Sequence, residues 1–572
     1  MAGENGGHGR IGTGVNLPDH PAALTAREIV RALVAAGVDE VVLAPGSRSA
    51  PLAYALHSAE AAGWLNMTVC VDERSAAFVA VGIARHRPVA VVTTSGTAVA
   101  NLHPAVLEAS HAGLPLVVLS ADRPHELRGV GANQTTNQVG IFAAAVRWQG
   151  EIPAADTATS AVVGVNVAVL RAVTAARGSR SAHPGPVHLN VAFRDPLVPA
   201  AVWEPDDRPV DQVVSTGDGT EVMPALLPRG PRTVIVAGDG AGAAAVELAQ
   251  AGGWPVLAEP TSGARSAAQA VTAPAVLAEV LGDEVQRVVV LGRPTLSRQV
   301  SALLARREVE VVVAAPGPDW VDVAGSAALV TRAVTVLAEP GASEVAWLDR
   351  WRRASEQAHQ VLESLAAERL GGPQVARALL GPRGTAGTVV LGSSMSVRDA
   401  DLAAGVGAGF TGVPVLANRG LSGIDGTVST ATGVAVATGE PVRALIGDLS
   451  FQHDVGGLAR GRLEREVNLQ VIVLNDDGGS IFATLEHGRP ELAEIYPRVF
   501  GTPQGLDIEA LARGFGAAYR SVEDAGELAA VLAEPVRGRS VVEVRLDGAA
   551  ARERALDLQA RIRDHVVGAG DG

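Results

Sequence analysis

The chain has 572 residues, too many for a single hydrophobic core, and this length suggests roughly three domains of about 190 residues each. Hydrophobic residues make up 47% and charged residues 19%, as in ordinary globular proteins, and the formal charge of −14 argues against nucleic acid as the main partner. Lysine is absent, so all 47 basic residues are arginine, which excludes lysine Schiff bases, pyridoxal phosphate enzymes and P-loops.

The start of the chain and its one cysteine bear on where the protein resides. The opening residues MAGENGGHGRIGTG have no apolar core of the kind that a signal peptide needs, and we expect a disordered leader of about 15 residues. Uninterrupted apolar runs of about 18 residues are missing, so no integral membrane segment is predicted. Cys70 can form no disulfide within the chain. We therefore expect a cytoplasmic protein.

Short β-branched runs recur along the chain, each followed by an Ala-rich segment with helical spacing. This alternation is typical of βαβ units and parallel sheets. The first set of runs is VVLAPG (41–46), MTVCVDE (67–73), PVAVVTTSG (88–96) and PLVVLSADRP (115–124). The second set is RTVIVAGDG (232–240), WPVLAEP (254–260), RVVVLGRP (287–294) and VEVVVAAPG (309–317). The third set is GTVVLGSSM (387–395), PVLANRG (414–420), VRALIGDLS (442–450), LQVIVLNDD (469–477) and SVVEVRL (540–546).

Two segments separate these sets. A polar, Pro-bearing stretch covers 199–230, and a Trp/Arg/Glu-rich helical segment covers 346–370. We therefore predict an α/β fold of three Rossmann-like domains with parallel sheets flanked by helices, over residues 1–200, 201–345 and 346–572. Ligands of such sheets bind beyond the carboxyl ends of the strands, so the loops after the runs are the candidate sites.

Two neighbouring strand ends of the third set carry oxygen ligands. Asp448 ends one strand and Asn475 the next, with the helix-like GGLARGRLER between them. Mg²⁺ (or Mn²⁺) takes about six oxygen ligands and often shares them with a diphosphate, so the two side chains and a backbone carbonyl near Asp477 predict a metal site. Taken singly, each side chain could instead cap the helix that follows it.

The residues around these ligands favour a diphosphate at the same place. Gly478 would let the backbone approach phosphates, and Ser450 offers a hydroxyl donor. With Gly447, the pattern resembles the GDG…N diphosphate-binding motif of thiamine diphosphate enzymes, although Leu449 replaces the third glycine and Asp476 the usual second asparagine.

Glu73 ends the run MTVCVDE and opens the segment RSAAFVAVGIARH, which has helical spacing. Thiamine chemistry needs one carboxyl group facing the aminopyrimidine ring, because sharing a proton there generates the tautomer that deprotonates the thiazolium carbon. A glutamate in apolar surroundings can do this. The alternative is a glutamate that only stabilises the helix N-terminus.

A set of longer motifs carries a family resemblance. They are APGSRSAPL (44–52), DERSAAFVAVGIAR (72–85), TTSGTAVANLHPAVLEA (93–109), SADRPHELRGVGANQTTNQ (120–138), NRGLSGIDG (418–426), GDLSFQHD (447–454) and the GGSIFATL after Asn475. By these motifs the chain resembles the family of 2-succinyl-5-enolpyruvyl-6-hydroxy-3-cyclohexene-1-carboxylate synthases, thiamine-diphosphate-dependent enzymes of menaquinone biosynthesis.

The resemblance implies a reaction and an assembly. Such an enzyme decarboxylates 2-oxoglutarate on thiamine diphosphate and adds the succinyl carbanion equivalent to isochorismate. The N-terminal domain would bind the pyrimidine ring and the C-terminal domain the diphosphate and metal. Glu73 would be the catalytic group, acting on cofactor held by a neighbouring chain, so that an obligate dimer follows and a tetramer is suggested.

The resemblance also implies residues for the substrates, whose carboxylates a lysine-free protein must meet with arginine, amide and hydroxyl groups. By motif position these are Ser47, Arg48, Arg123, Gln134, Ser394, Arg398 and Arg419, with Arg298 as a further contact in the middle domain. Ile424 matches the apolar wedge that bends the cofactor. Ile481, Phe482 and Leu485 would line the reacting pocket. Surface ion pairs and core packing are the alternatives.

Other interpretations concern the middle domain and the reaction class. Gly238, Gly240 and Ala243, with Glu259 after the next strand, have the outline of a dinucleotide fingerprint, although tight packing explains the glycines better. Another thiamine diphosphate enzyme, such as a flavin-containing acetohydroxyacid synthase, is the alternative within the class. A catalytically silent regulatory protein on the same fold is the alternative outside it.

Overall fold

A computed structural model describes residues 19–212, 214, 222–337, 339–365, 370–381, 387–410, 412–548 and 551–568. The expected disordered leader lies outside these described residues, as does part of the stretch at 199–230. Three parallel sheets flanked by helices make up the fold, which confirms the predicted α/β class. The domain boundaries at 200 and 345 stay predictions.

The first sheet is built from six strands, which are β1 (Glu40–Leu43), β2 (Asn66–Val69), β3 (Val89–Thr93), β4 (Leu116–Asp122), β5 (Trp148–Ile152) and β6 (Val187–Ala192). Its helices are α1 (Pro21–Ala35), α2 (Ala50–Ala61), α3 (Glu73–Ala84), α4 (Thr97–Ala100), α5 (His103–Ala112), α6 (Ala158–Val162) and α7 (Val165–Ala176). The strands pair in the order β2-β1-β3-β4-β6-β5.

The second sheet belongs to the middle of the chain. The strands of this region are β7 (Ala225–Leu226), β8 (Thr233–Ala237), β9 (Val256–Ala258), β10 (Arg287–Leu291), β11 (Glu310–Ala314), β12 (Ala327–Thr331) and β13 (Val334–Thr335). The helices are α8 (Gly242–Gly252), α9 (Pro274–Leu281), α10 (Arg298–Leu304) and α11 (Ala342–Ser364). Five strands pair in the order β12-β11-β10-β8-β9, and β13 pairs with β7.

The third sheet repeats the size of the first. Its strands are β14 (Thr388–Leu391), β15 (Val415–Ala417), β16 (Val442–Gly447), β17 (Leu469–Asn475), β18 (Ala518–Val522) and β19 (Arg539–Arg545). Its helices are α12 (Gly372–Leu380), α13 (Met395–Ala403), α14 (Thr427–Thr438), α15 (Asp448–His453), α16 (Ser480–Ala483), α17 (Ile508–Gly514), α18 (Ala525–Ala533) and α19 (Ala551–Gly568). The strand order is β15-β14-β16-β17-β19-β18.

Every quoted run contains a strand. Most of these strands are buried, which favours continuous Val, Ile and Leu, whereas β2 lies at a sheet edge and is only partly buried. The helical segment predicted at 346–370 is mostly α11, and its Trp347 and Trp351 are buried in the core of the middle sheet. The C-terminal helix α19 adds Leu558 and Ile562 to the same core. The helix-like interpretation of GGLARGRLER is wrong, since that segment contains only the end of a 3-10 turn at Val455–Leu458.

One apolar stretch, at 158–176, has the length and composition of a membrane-spanning helix, with 28% of its window buried. A single stretch of this kind is weak evidence for a span. The helix is interrupted at Gly164, whose φ is 79°, and Val165, Val169 and Val173 of α7 pack into the core beside α1.

Candidate active site

The predicted metal ligands lie side by side at the carboxyl edge of the third sheet. Strands β16 and β17 pair in parallel with Gly447 opposite Leu474, so that Asp448 and Asn475 are the next residues on adjacent strands. Adjacent strands are about 4.8 Å apart. A carboxylate and a carboxamide therefore leave the sheet at one place.

Asp448 is buried and begins the short helix α15. Burial, followed by the negative charge of Asp476, raises the pKa of its carboxyl to about 7, although the backbone N–H groups of Leu449 and Gly478 donate to it. A bound cation would favour the ionised carboxylate in such a position. The residues present therefore fit a divalent cation.

Asn475 is oriented by groups behind it. Its Nδ2 donates to Oε1 of the buried Glu543 at 2.7 Å, and Tyr519 donates its hydroxyl to the other oxygen of Glu543. The Asn475 Oδ1 accepts the N–H of Asp477 at 3.1 Å. These contacts show which atom of the Asn475 amide is the nitrogen and which is the oxygen. The oxygen faces the loop after β17, whose Gly478 N–H donates to Asp448.

The loop after β17 is held in an unusual conformation. Asp477 has a φ of 55° and Gly478 a φ of 145°, and a side chain at Gly478 would overlap the carbonyl of Gly501. The carboxylate of Asp477 accepts the N–H groups of Gln504 and Gly505 at 3.0 and 2.8 Å. These bonds hold Oδ1 of the Asp477 side chain against residues 504 and 505, and the carbonyl group of Asp477 stays the candidate metal ligand.

A cavity of about 280 Å³ opens beside these residues. Nine of the predicted residues line it, namely Ser394, Ile424, Gly447, Asp448, Leu449, Ser450, Gly478, Ile481 and Phe482. Leu485 lies outside the lining. Phe482, which lines the cavity, also packs on Phe500 with ring centroids 5.6 Å apart. The cavity thus joins the polar loops at the sheet edge to an apolar wall.

Asp399, which was not predicted from the sequence, also lines this cavity. Burial and the charge of Asp476 raise the pKa of Asp399 to about 8. Its carboxylate occupies the space that a side chain at Gly372, at the start of α12, would need. The glycine pair Gly371-Gly372 in the sequence was the available signal for this close approach.

The second group of predicted residues meets at the carboxyl edge of the first sheet. Arg48 follows β1 and donates to the carbonyl of Phe193 at 2.9 Å, while Arg123 follows β4 and donates to the carbonyl of Gln134 at 2.6 Å and to the hydroxyl of Ser95. Burial, followed by the charge of Arg48, lowers the pKa of Arg123. The buried Nε of Arg48 has no hydrogen-bond partner among the described residues. Asp195 lies 3.5 Å from the Arg48 guanidinium, and Asp122 and Asp195 also lie near Arg123, so the two arginines form a cluster that includes carboxylates.

Gln134 completes this arginine cluster, and its backbone is strained with a φ of 56°. Its Nε2 donates to the carbonyl of Ser95 at 3.0 Å, and its own carbonyl accepts the Ser95 hydroxyl at 3.1 Å. Ser47 lies exposed in the loop after β1.

Beneath the arginines is a buried polar network that the sequence analysis did not identify. Gln138 accepts the N–H of Gly96 at 2.9 Å and donates to Asn190 at 3.0 Å, and Asn190 donates to Asp122 at 2.9 Å. Asp122 accepts the N–H of Arg123 at 2.7 Å. Polar residues inside the apolar run PLVVLSADRP were the signal that could have revealed it.

Glu73 begins α3 as predicted, with Asp72 as the capping residue. It follows β2, at the same edge as Arg48 and Arg123, and it is partly exposed in the single chain. It does not line the cavity of the third sheet.

The remaining three arginines approach one another between the middle and third sheets. Burial, followed by the charge of Arg419 and more weakly that of Arg298, lowers the pKa of Arg398. Arg419 is buried and donates to the hydroxyl of Thr295 at 2.6 Å, whereas Arg298 is exposed and pairs with Glu486 at 2.6 Å. Asp401 and Asp399 also lie near Arg398, so the three arginines form a second cluster that includes acidic residues.

The outline of a dinucleotide fingerprint has a packing explanation. A side chain at Gly238 would overlap the backbone of Arg293 and Pro294. Oε1 of Glu259 accepts the N–H groups of Thr295 and Leu296 at 2.8 and 2.9 Å, while its buried Oε2 has no hydrogen-bond partner among the described residues.

Comparisons with known proteins agree with this geometry. Residues 25–141 match "Thiamine pyrophosphate enzyme, N-terminal TPP binding domain", and residues 413–544 match the C-terminal TPP binding domain. The crystal structure of benzoylformate decarboxylase from Polynucleobacter necessarius has a TM-score of 0.64 at 18% identity, covering 92% of this chain and 98% of that one. This likeness concerns the fold alone.

Sequence relatives extend over nearly the whole chain. The protein of Kineococcus radiotolerans is 47% identical, covering 96% of this chain and 100% of the relative, and that of Renibacterium salmoninarum is 44% identical, covering 95% and 97%. Both carry the name 2-succinyl-5-enolpyruvyl-6-hydroxy-3-cyclohexene-1-carboxylate synthase. The chain therefore belongs to this family of thiamine-diphosphate-dependent enzymes of menaquinone biosynthesis.

Proposed function

We propose that the protein decarboxylates 2-oxoglutarate and joins the remaining succinyl unit to isochorismate. The observation that carries this proposal is the presence of two separate arginine clusters, one at the edge of the first sheet and one beside the cavity of the third. Guanidinium groups bind carboxylates in bidentate fashion and stay charged, so each cluster suits one carboxylated substrate. The relatives' name supports the same pair of substrates.

The C-terminal domain would hold the cofactor and a divalent metal ion. Asp448, Asn475 and the carbonyl of Asp477 would bind Mg²⁺ or Mn²⁺, which takes oxygen ligands of this kind. Gly447, Leu449, Ser450 and Gly478 would surround the diphosphate, while Ile424 and Ile481 would contact the rings. When bound, thiamine diphosphate supplies the nucleophilic carbon and the electron sink that decarboxylation of a 2-oxo acid requires.

Glu73 would be the catalytic residue of the N-terminal domain. A carboxyl group facing the aminopyrimidine ring can hold a proton at its oxygen and exchange it with the ring nitrogen. Its backbone is held at a helix N-terminus, where the capping residue Asp72 accepts the N–H groups of Arg74 and Ser75.

The two substrates would use different arginines. Ser394, Arg398 and Arg419, with Arg298, would hold the carboxylates of 2-oxoglutarate beside the cavity. Arg48, Arg123 and Gln134, with Ser47, would hold isochorismate. Phe482 would form part of the apolar wall that keeps water from the reacting atoms, while Leu485, outside the cavity lining, would lie behind it.

The active site would lie between two chains of a homodimer or homotetramer. No N-terminal residue that the structure describes lines the cavity, although thiamine chemistry needs a carboxyl group at the pyrimidine. Apolar side chains of the N-terminal domain are exposed in the single chain, among them Val71, two residues before Glu73, at 87% and Val130 at 67%. A second copy, whose N-terminal domain covers the cavity, would bury them. We also propose a cytoplasmic location.

The test is an incubation of the purified protein, thiamine diphosphate and Mg²⁺ with both substrates, followed by mass spectrometry of the product. We expect the succinylated adduct and one equivalent of CO₂. Release of CO₂ from 2-oxoglutarate alone should require the cofactor. A protein that binds the cofactor but releases no CO₂ from 2-oxoglutarate would refute the proposal, and a flavin in the purified protein would favour another enzyme of the class.

A further inference from the structure

The loop at 418–426 joins β15 to α14 and carries both Arg419 and Ile424. Contacts from the other two domains hold its backbone. Glu108, in α5 of the N-terminal domain, accepts the N–H groups of Gly420 and Leu421, each at 2.7 Å. One carboxylate thus binds two successive amides of a loop more than 300 residues away along the chain.

Further contacts fix the two sides of the same loop. Arg85, at the end of α3, donates to the carbonyl of Ala417 at 2.5 Å, and its guanidinium lies 4.0 Å from Glu108. Arg293 of the middle domain donates to the carbonyl of Gly420 at 3.1 Å. The loop is therefore the place where all three domains meet.

Glu108 is 3% exposed, which is costly for a carboxylate unless its oxygens accept strong hydrogen bonds. The two amides of the loop provide them. The loop is shaped to receive this group, since a side chain at Gly420 would overlap the carbonyl oxygen of Glu108 and crowd its carboxylate. Gly420 and Glu108 are thus complementary in shape as well as in charge.

We propose that Glu108 is a positioning residue for the reaction. By fixing the amides of Gly420 and Leu421, it sets the direction in which Arg419, immediately before them, and Ile424, shortly after them, leave the loop. Arg419 is buried against Thr295, and Ile424 lines the cavity. The inference rests on the proposed function, in which these two side chains face the 2-oxo acid and the cofactor.

The diphosphate and metal residues do not depend on Glu108, because Asp448 and Asn475 are held by Gly478 and Glu543 instead. A role confined to positioning therefore separates catalysis from cofactor affinity. A merely structural Glu108 would lower stability without that separation.

The main test is Glu108→Gln, which keeps the size of the side chain but sets an NH₂ group against one of the two loop amides. We expect kcat/KM for 2-oxoglutarate to fall roughly 10- to 100-fold, the range for losing a hydrogen bond to a charged group. Thiamine diphosphate affinity should fall much less, by no more than about threefold, because the diphosphate and metal contacts remain and only the ring contact of Ile424 changes. Hydrogen–deuterium exchange should become faster at the amides of residues 420 and 421.

The matched control is Glu344→Gln in the middle domain. Glu344 is also buried and accepts the N–H of Gly341 at 3.0 Å and a guanidinium N–H of Arg229 at 3.2 Å, but it does not contact the loop. We expect a similar loss of thermal stability with unchanged turnover and unchanged exchange at 420 and 421. Gly420→Ala disturbs the same contact from the loop side, and it should reproduce the Glu108→Gln effect if that variant does not fold.

Wild-type turnover in the same assay separates the possible failures. If the wild type releases no CO₂ from 2-oxoglutarate, the proposed function is wrong and this inference falls with it. If the wild type is active, but Glu108→Gln or Gly420→Ala loosens the loop and leaves kcat/KM within about twofold, Glu108 holds the loop without positioning the reaction. Unchanged amide exchange would show that the contact itself is not important.

Discussion

The first and third sheets have the same topology but carry opposite chemistry at their carboxyl edges. The orders β2-β1-β3-β4-β6-β5 and β15-β14-β16-β17-β19-β18 correspond strand for strand. The loop after β1 carries Arg48, and the corresponding loop after β14 carries Ser394. Ser95 follows β3 where Asp448 follows β16. Arg123 stands at the end of β4 where Asn475 stands at the end of β17. Topology therefore fixes where the functional loops lie, and the residues in those loops decide what they bind.

The two edges differ in the charged groups that shift the pKa values of their side chains. At the first edge, burial and a neighbouring guanidinium lower the pKa of Arg123, whereas at the third edge burial and a neighbouring carboxylate raise the pKa of Asp448 to about 7. Arg48 and Arg123 thus lie close together at the first edge, with Asp122 and Asp195 beside them, whereas Asp448 and Asp476 lie together at the third edge, where a cation would offset their charge. The first edge suits carboxylated substrates and the third suits a metal ion.

The largest effect is expected at Glu73, the proton-handling group that the third edge lacks. Glu73→Gln keeps the side-chain size and removes its shareable proton, so turnover should fall by more than about 100-fold, as for a lost general acid–base group. Cofactor binding should persist. The measurement is exchange of the thiazolium proton of bound cofactor into deuterated water, which should be slow in the variant.

The control is the neighbouring Asp72→Asn, because asparagine still caps the helix. That variant should exchange the proton at the wild-type rate. If Glu73→Gln exchanges the thiazolium proton at the wild-type rate, another carboxylate must activate the cofactor.

The next effect tests the metal-binding character of the third edge. Asp448→Ala or Asn475→Ala should weaken thiamine diphosphate binding at low Mg²⁺ by at least about 10- to 100-fold, the loss caused by removing even an outer partner of a metal. Partial rescue by high Mg²⁺ is expected. Isothermal titration calorimetry at low and at high Mg²⁺ measures the loss of cofactor affinity and its rescue.

Asp454→Asn is the matched control for this pair. Asp454 is fully buried just beyond the other end of α15 and accepts the N–H and hydroxyl of Ser429 at 2.7 and 2.9 Å. Its loss should reduce stability but not metal-dependent cofactor affinity. Unchanged affinity in Asp448→Ala and Asn475→Ala would refute the ligand assignment.

A smaller and more selective effect is expected at the arginines of the first edge. Arg48→Ala should leave cofactor-dependent decarboxylation largely intact but lower kcat/KM for isochorismate roughly 10- to 100-fold, through loss of a charged hydrogen bond. Arg194→Ala is the control, since Arg194 follows β6 at the same edge and is already paired with Glu126 and Asp156. Equal loss of both half-reactions in Arg48→Ala would contradict the division of the arginines.

Central strands were predictable from the sequence because burial on both faces selects uninterrupted apolar runs. The strand β6 was missed because His188 and Asn190 interrupt its apolar pattern. Both are buried, and burial lowers the pKa of His188 to about 4, so that its neutral ring can share a hydrogen bond with Ser120 at 2.7 Å. Such partners come from distant parts of the chain, which local patterns do not show.

Only part of the candidate site was predictable from the sequence. Strand-end motifs identified Asp448 and Asn475, because a ligand site needs these residue types at adjacent strand ends. Glu108 and Gln138 were not identifiable, since a glutamate on a helix and one amide among several in NQTTNQ look like solvent-facing residues. Their importance arises from tertiary contacts with the loop at 418–426 and with Gly96.

The smallest effect concerns the packing that joins the two corresponding domains. Helices α3 and α14 hold corresponding places after β2 and β15, and they cross through glycines. A methyl group at Gly82 would overlap the carbonyl of Thr430, and one at Gly433 would overlap the carbonyl of Val79.

Gly82→Ala and Gly433→Ala should therefore each reduce the free energy of unfolding by about 1–3 kcal/mol, as expected for overpacking. If α3 and α14 contribute equally to their contact, the two variants should lose similar free energies of unfolding. The midpoints of urea denaturation measure these losses. Gly514→Ala, in a helix with open space around it, is the control and should be neutral or slightly stabilising. Tolerance of the methyl group at one glycine and not at the other would show that the corresponding helices, despite their shared topology, do not bear the domain contact equally.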